Sequence, residues 1–286
     1  MFAIVGTIPD DDFPLFDGPI DIFHDSMRAG GQTVDINRGT PALLAAAFMA
    51  CKFFGADGPH AYLIGDTGRG HGSRKLYRHL EEMLPACRYT SLTFHYIQPD
   101  VDWHNRVLFA VDEMAVRPVL IADAGFMYAA KMSGQASAYD IFTPDIGELA
   151  FLADETAPHP FYTRGFIFHE SGNIPELIVR AYRHGNAARY LAVKGETDLV
   201  ADQTGILEKI DAPTIPALEA IGGTGDILTG LIAALTGLDH DIRRSCIMAA
   251  RISRLAGQLA DPDPGTQVAD IIRQIPNAMK AVMNSK

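Results

Sequence analysis

Residues 219–235, EAIGGTGDILTGLIAAL, place a glycine-rich turn, a single carboxylate at Asp226 and an apolar helical stretch next to one another. The glycines permit a tight turn and let a ligand approach the backbone closely. The amides of residues 223–226 would then begin a helix, where unpaired N–H groups and the helix dipole attract anions. The stretch predicts a phosphate site in which Asp226 acts as general base on a hydroxyl. A plain helix N-cap is the alternative.

A second candidate is VKGETD, residues 193–198, which ends the strand-like segment RYLAV. Lys194 can meet a phosphate, and the loop that follows it can wrap around a ribose or an adenine. The alternative is a solvated strand end that binds nothing.

Two acidic loops follow further strand-like segments. In FTPDIGE, Asp145 can face a substrate and Glu148 can orient a metal-bound water, unless both only complement a helix dipole. In IADAGFM, Asp123 suits a magnesium ion, a substrate hydroxyl or a plain turn. A further loop, GDTGRGHG, resembles a phosphate loop but lacks the GK[ST] ending, so we expect Arg69 and His71 at the surface.

The composition narrows the class of protein. The chain has 286 residues, 48% of them apolar, and a formal charge of −11, which disfavours general binding to nucleic acid or acidic membranes. Its three cysteines lie far apart, which indicates reduced thiols in a cytoplasmic protein and no zinc site. The start, MFAIVGTIPDDDF, has no basic leader, and the apolar runs fall short of the ~20 residues of a membrane span.

Strand-like and helix-like segments alternate along most of the chain, from FAIVGTI and TPALLAAAFMACKFFG to RYLAVKG and the hairpin of TDLVAD with ILEKIDA. Pro144 is predicted to open the helix of PDIGELAFLA, and VADIIRQIPNAMKAV is predicted to be one helix, whereas residues 13–39 are loop-rich and hard to assign. The pattern predicts one α/β domain over residues 1–286, a three-layer αβα sandwich with a mainly parallel central sheet. Ligands of such sheets bind at the carboxyl ends of the strands, where the candidate loops fall.

The order of these motifs resembles the ribokinase-like superfamily and is most similar to the ADP/ATP-dependent NAD(P)H-hydrate dehydratases. That family reads roughly DADGLN, TPHPGE, LKGxxT and GGTGDVLxGxIA, where this chain has DAGFM, TPDIGE, VKGET and GGTGDILTGLIA. The similarity is strong after residue 118 and weak before residue 40. The resemblance implies a ribokinase-like fold, an adenine nucleotide (ATP or ADP) and Mg²⁺.

The resemblance also implies roles for individual residues. Asp226 would be the catalytic carboxylate, Glu148 a metal ligand, and Asp123 and Asp145 substrate contacts. The nucleotide would lie on two loops, at Lys194, Gly195, Glu196, Thr197, Asp198, Gly222, Gly223, Thr224 and Gly225.

Two departures from the family lie on the substrate side. The histidine of TPHPGE is Asp145 here, and the family's GPGLG loop is replaced by YIQPDVDWHN, which contains no glycine. We therefore expect a more polar acceptor pocket that uses Asp102 and Asn105, with Asp100 and His104 beside them.

Three functions remain open at this stage. The first is a nucleotide-dependent NAD(P)H-hydrate dehydratase or a close relative, and the second is an ATP-dependent kinase for a hydroxyl of a sugar or vitamin precursor. The third is a non-catalytic nucleotide sensor, which retention of Asp226 disfavours. In each case the expected ligands are small molecules. Assembly into a homo-oligomer is also expected, though less strongly than small-molecule binding.

Overall fold

A computed structural model describes residues 1–155 and 173–284. Eleven strands in these ranges form one sheet: β1 (Ala3–Ile8), β2 (Phe16–Phe23), β3 (Ser26–Ala29), β4 (Gln32–Asp35), β5 (His60–Gly65), β6 (Ser91–His95), β7 (Val119–Ala122), β8 (Ile141–Phe142), β9 (Tyr190–Val193), β10 (Asp198–Asp202) and β11 (Gly205–Ile210). The helices are α1 (Thr40–Phe53), α2 (His71–Met83), α3 (Val101–Asp112), α4 (Gly125–Met132), α5 (Ile146–Ala153), α6 (Ile174–Arg183), α7 (Thr224–Gly237), α8 (Ile242–Leu259), α9 (Val268–Arg273) and α10 (Ile275–Asn284).

The strand order across the sheet is β11-β10-β9-β8-β7-β6-β1-β5-β2-β3-β4. The stretch from β5 through β1 to β9 is parallel, and antiparallel strands extend it at both sides. The carboxyl ends of the parallel strands therefore meet at one edge, as the predicted sheet requires.

Helices cover both faces of the sheet, which confirms the predicted three-layer αβα architecture. Side chains alternate between the faces, so that Ile4 packs with α1 and α7–α10 while Val5 packs with α2–α6. Each face carries its own apolar cluster, and together they hold the sheet rigid beneath its loops. The single-domain prediction also covers residues 156–172 and 285–286, which lie outside the described residues.

Residues 13–39, left without assignment by the sequence, contain the antiparallel strands β2, β3 and β4. Gly18 and Pro19 sit in the middle of β2, and both residue types weaken a strand pattern. Tertiary pairing with β5 overrides that weak local preference.

Two helix boundaries differ from the sequence prediction. Helix α5 begins at Ile146, because Asp145 caps it, so Pro144 precedes the helix and does not open it. The last predicted helix is two, separated at Gln274, where Pro276 follows at the start of α10 and cannot continue the backbone hydrogen bonding of α9. Within the described ranges, no helix has the length and apolar character that crossing a bilayer demands.

Candidate active site

A cavity of about 520 Å³ opens at the carboxyl edge of the parallel strands. It lies between the ends of β6, β7 and β9 on one side and the start of α7 on the other. Residues predicted from all four motifs line it: Asp123, Asp145, Glu148, Lys194, Gly195, Glu196, Asp198, Gly223, Thr224, Gly225 and Asp226. The fold thus brings together segments that are about 100 residues apart in the chain.

The glycine-rich loop predicted to bind phosphate, which ends at Gly223, leads directly into α7. Gly223 precedes the helix with a φ of +96°, in the left-handed region that favours glycine, and no side chain caps the first turn. The first helical hydrogen bond is donated by the Ile227 amide to the Gly223 carbonyl. The amides at the start of α7 therefore face the cavity as uncapped donors, which is the geometry of an anion site.

Asp226 lies in the first turn of α7 and is buried, with only 8% of its surface exposed. The Gly39 amide donates to its Oδ2 at 2.6 Å, and His95 Nε2 lies 3.1 Å from its Oδ1. The other ring nitrogen of His95, Nδ1, lies 3.0 Å from Thr40 Oγ1. The carboxylate is thus oriented by two groups from the N-terminal third of the chain, and it still borders the cavity.

Lys194 is held by Asp123 at the ends of two strands. Its Nζ lies 2.8 and 2.9 Å from the two Asp123 carboxylate oxygens, and Thr229 donates to Oδ2 at 2.7 Å. Burial alone would raise the pKa of Asp123, but Lys194 and then His95 hold that pKa below its usual value. Burial likewise opposes the charge of Lys194, yet Asp123 and Glu148 together outweigh it and raise the pKa of the ammonium. Both groups are therefore charged.

The Lys194–Asp123 ion pair limits the charge that the site can offer to a phosphate or to a metal ion. Asp123, His95 and Asp226 lie close enough to share a cation. Lys194 already supplies the positive charge at Asp123. The Lys194 ammonium is therefore already paired with a carboxylate of the protein. A phosphate that contacts Lys194, as predicted, would lie beside Asp123 as well.

Arg254 on α8 makes hydrogen bonds to the KGETD loop, residues 194–198. Its Nε lies 2.7 Å from Asp198 Oδ2, and its Nη2 donates to the carbonyls of Gly195 and Glu196. Burial raises the pKa of Asp198, and Arg254 opposes that shift. Arg254 therefore ties the loop to α8 through one side chain and two backbone carbonyls.

Asp145 and Glu148 form a capping box at the start of α5. Asp145 Oδ1 accepts from the Glu148 amide at 2.7 Å, and Glu148 Oε2 accepts from the Asp145 amide at 2.8 Å. Burial raises the pKa of Glu148 to about 8, with Lys194 opposing the shift and Asp123 and Asp145 adding to it. Both side chains line the cavity while they cap the helix, so the structural alternative and a role in binding coexist.

The raised pKa of Glu148 predicts a pH-dependent stability difference. Between the ordinary carboxyl pKa of 4.5 and the folded value of about 8, the native state binds a proton that the unfolded state has lost. The free energy of unfolding must therefore fall as pH rises through this window. Denaturant unfolding with chelator present should show wild type losing stability relative to Glu148→Gln from pH 5 to pH 8. The exposed Glu82→Gln should show a flat difference, and an equally flat result for Glu148→Gln would contradict the shift.

Asp102 and Asn105, predicted for the acceptor pocket, do not line the cavity. Asp100 caps α3 by accepting from the Trp103 amide, and this cap starts the helix at Val101. His104 is buried against Tyr139, with burial lowering its pKa to about 4. The YIQPDVDWHN segment therefore builds a helix start and core. Of the two loops predicted for nucleotide, Thr197 and Gly222 are likewise outside the cavity lining.

Sequence reasoning missed several residues of the site, among them His95, Tyr96 and Arg254. His95 ends a buried strand at the same edge as Asp123 and Lys194, so an alignment of strand ends could have found it. Tyr96 follows with a φ of +49° and a half-exposed ring, which is unusual for a bulky residue. Arg254 gave no signal, because arginine in an amphipathic helix is normally a surface residue.

Two solved structures share the fold of this chain. A ribokinase-like superfamily protein of Enterococcus faecalis aligns with 98% of this chain and 87% of its own, with a TM-score of 0.57 and 16% identity. An ADP/ATP-dependent NAD(P)H-hydrate dehydratase of Bacillus subtilis, co-crystallized with ATP and Mg²⁺, aligns with 98% of this chain and 89% of its own, with a TM-score of 0.57 and 15% identity. The fold is ribokinase-like.

The sequence comparison then gives the family. The profile of the NAD(P)H-hydrate dehydratase family, Carb_kinase, matches residues 99–277. An uncharacterized protein of Methanocaldococcus jannaschii is 38% identical over 83% of this chain and 98% of its own length. The ADP-dependent (S)-NAD(P)H-hydrate dehydratase of Cenarchaeum symbiosum is 27% identical over 61% of this chain but only 55% of its own. The chain belongs to the NAD(P)H-hydrate dehydratase family.

Proposed function

We propose that this protein is an adenine-nucleotide-dependent NAD(P)H-hydrate dehydratase. The observation that carries the proposal is the buried Asp226 carboxylate, at the uncapped start of α7 and inside the part of the chain that matches the family. Dependence on an adenine nucleotide and dehydration of NAD(P)H hydrate, which the name of the Cenarchaeum symbiosum relative specifies, require a phosphate site and a group that handles a proton. Both lie within one turn of helix here.

The nucleotide side of the cavity is supported by its donors. The amides that begin α7 take the phosphates, with the helix dipole adding to their attraction. Across the cavity, the KGETD loop is held by Arg254 in one conformation, so it can receive the rest of the nucleotide without paying to become ordered.

The charge balance of the cavity supports Mg²⁺ as a companion of the nucleotide. Carboxylates outnumber cations in its lining, and both cations, Lys194 and Arg254, are already engaged by Asp123 and Asp198. An anionic ligand therefore needs added positive charge. Carboxylate oxygen is the ligand type that Mg²⁺ prefers, and Glu148 is the residue that would hold it, releasing its proton as the ion binds. When bound, the ion would neutralise phosphate charge.

Asp226 supplies the proton chemistry. Dehydration removes a hydroxyl from one ring carbon and a proton from the next, and hydroxide by itself is a poor leaving group. A carboxylate that meets both the hydroxyl and the phosphate site can take the hydroxyl proton while the terminal phosphoryl group passes from the nucleotide to that oxygen. The C–O bond then breaks with inorganic phosphate as the leaving group, and the neighbouring ring carbon loses its proton. His95 and Gly39 keep Asp226 pointed at this position.

The direct test follows recovery of NADPH at 340 nm from hydrated NADPH, with Mg²⁺ and either ATP or ADP. A rise that requires nucleotide is the expected result, and the comparison of ATP with ADP identifies the co-substrate. Absence of any rise, while a thermal-shift control still shows nucleotide binding, would reject the dehydratase reaction.

A second candidate is a kinase for a small alcohol, and one observation favours it. The family profile begins at residue 99, yet the groups around Asp226 on the acceptor side, Gly39, Thr40, His95 and Tyr96, all precede it. The matched region thus covers the nucleotide side together with Asp123 and Asp145, whereas these four groups lie outside it. A screen of sugars and vitamin-precursor alcohols for ADP release above the ATPase background distinguishes the two functions.

Tyr96 is predicted to bind the acceptor in either case. Its ring is half exposed at the cavity, packs edge-on to His95 with centroids 4.2 Å apart, and can stack on a flat ring or a sugar face. Tyr96→Ala should raise the KM of the acceptor roughly 5- to 150-fold, since aromatic stacking contributes about 1–3 kcal/mol. The nucleotide Kd should not change. Tyr96→Phe should retain the wild-type KM, and an equal loss in Phe and Ala would instead assign the role to the hydroxyl.

A further inference from the structure

His95 is a buried histidine at the centre of the site that no motif of the family accounts for. It ends β6, is 1% exposed, and links Thr40 to Asp226 through its two ring nitrogens at 3.0 and 3.1 Å. Thr40, at the start of α1, is equally buried. A buried imidazole with both nitrogens engaged has one defined orientation.

Proton accounting fixes the role of each nitrogen. Ionised Asp226 can only accept hydrogen bonds, so Nε2 of His95 must carry the proton that lies between them. In the neutral ring Nδ1 is then an acceptor, and the Thr40 hydroxyl donates to it. Because Nε2 already carries a proton, this nitrogen cannot accept one from Asp226. The imidazole therefore holds the carboxylate and does not relay its proton.

We propose that His95, with Nε2–H directed at Asp226 and Nδ1 bonded to Thr40, is the positioning residue of Asp226. It fixes the Oδ1 oxygen while the Gly39 amide fixes Oδ2, which leaves the remaining lone pairs of the carboxylate directed to the acceptor. The inference rests on the proposed role of Asp226 as base, and it holds for a dehydratase or a kinase.

Two other charged residues lie close to His95 and Asp226, namely Asp123 and Lys194, but neither holds the Asp226 carboxylate in place. Asp123 Oδ2 is 3.9 Å from His95 Nε2, beyond hydrogen-bond distance, and both its oxygens are held by Lys194. Lys194 itself bonds to Asp123 and has no recorded hydrogen bond to Asp226 among the described residues. Among the described residues, the hydrogen bonds that orient Asp226 thus come from His95 and from the Gly39 amide.

A matched pair of variants separates positioning from packing. The side-chain nitrogen of glutamine reaches the place of Nε2, whereas that of asparagine reaches only the place of Nδ1. His95→Gln should keep turnover within about tenfold of wild type, and His95→Asn should lose roughly 100-fold, the scale of a misplacement near 1 Å. Nucleotide Kd should stay constant in both. The exposed His71→Asn serves as the control for a histidine-to-asparagine change. Equal losses in Gln and Asn would overturn the proposal.

A double-mutant cycle tests that His95 acts through Asp226. In an Asp226→Asn background, His95→Asn should lower the residual turnover no further, because the group it positions is already gone. Multiplying losses would show that His95 acts independently, and the proposal would be wrong.

A measurement without substrate keeps this test separate from that of the proposed function. Nitrogen-15 NMR of the histidine rings, with His95 assigned from its absence in His95→Gln, should show the Nε2–H tautomer. Asp226→Asn should shift that resonance. A free Nε2 would reject the positioning role even if the enzyme is active. The expected tautomer, together with no turnover of hydrated NADPH or of any alcohol, would reject the proposed function alone.

Discussion

Asp226→Asn is expected to reduce turnover by about 10²–10⁴-fold, the contribution of a general base, while nucleotide still binds. Asparagine keeps the shape of the side chain but cannot accept a proton from a hydroxyl. The amides at the start of α7 are unchanged by the substitution, and these are the groups that hold phosphate. The measurements are steady-state turnover and a nucleotide Kd by calorimetry.

The control for this prediction is Asp239→Asn, an exposed aspartate with a φ of +63°, a conformation that asparagine also tolerates. It should match wild type in turnover. If Asp226→Asn kept full turnover, Asp226 would not be the base. If the wild type bound nucleotide and turned over neither hydrated NADPH nor any alcohol, the protein would be the nucleotide sensor that the sequence left open.

The fold and much of the cavity lining followed from local signals in the sequence. Strand-like runs that end in Asp123 and Lys194 place polar groups at one edge of a parallel sheet, because the carboxyl ends of parallel strands coincide. The glycines before Asp226 likewise predict the left-handed turn that Gly223 adopts. Short-range patterns of this kind are visible within about ten residues.

The partnerships inside the cavity were not visible in this way. His95 bonds to a residue 131 positions away and Lys194 to one 71 positions away. Which side chains pair depends on strand order, and the sequence pattern does not fix that order. The predicted acceptor residues Asp102 and Asn105 failed to reach the cavity because the cap at Asp100 commits their segment to α3. Local helix signals there outweighed the expectation drawn from the family's missing loop.

Lys194→Met is expected to cost about 3–5 kcal/mol of the free energy of unfolding. The substitution leaves the Asp123 carboxylate buried, 2% exposed, and without its cationic partner, although the Thr229 hydroxyl and the Ala124 amide still donate to it. Removing one partner of a buried ion pair carries this penalty because an unpaired charge remains in a poorly solvated site. Denaturant unfolding at pH 7 measures the loss, and the exposed Lys209→Met should stay within about 0.5 kcal/mol of wild type.

The double variant Lys194→Met/Asp123→Asn separates the cost of an unpaired charge from the value of the pair itself. With both charges gone, the asparagine amide can still accept from Thr229, so most of the lost stability should return. Stability would then recover while nucleotide-dependent turnover stayed low, because the cavity would have lost the cation beside its phosphate site. Recovery of turnover along with stability would show that the pair only supports the fold. Failure to recover either would mean that Lys194 is held by more than its contact with Asp123.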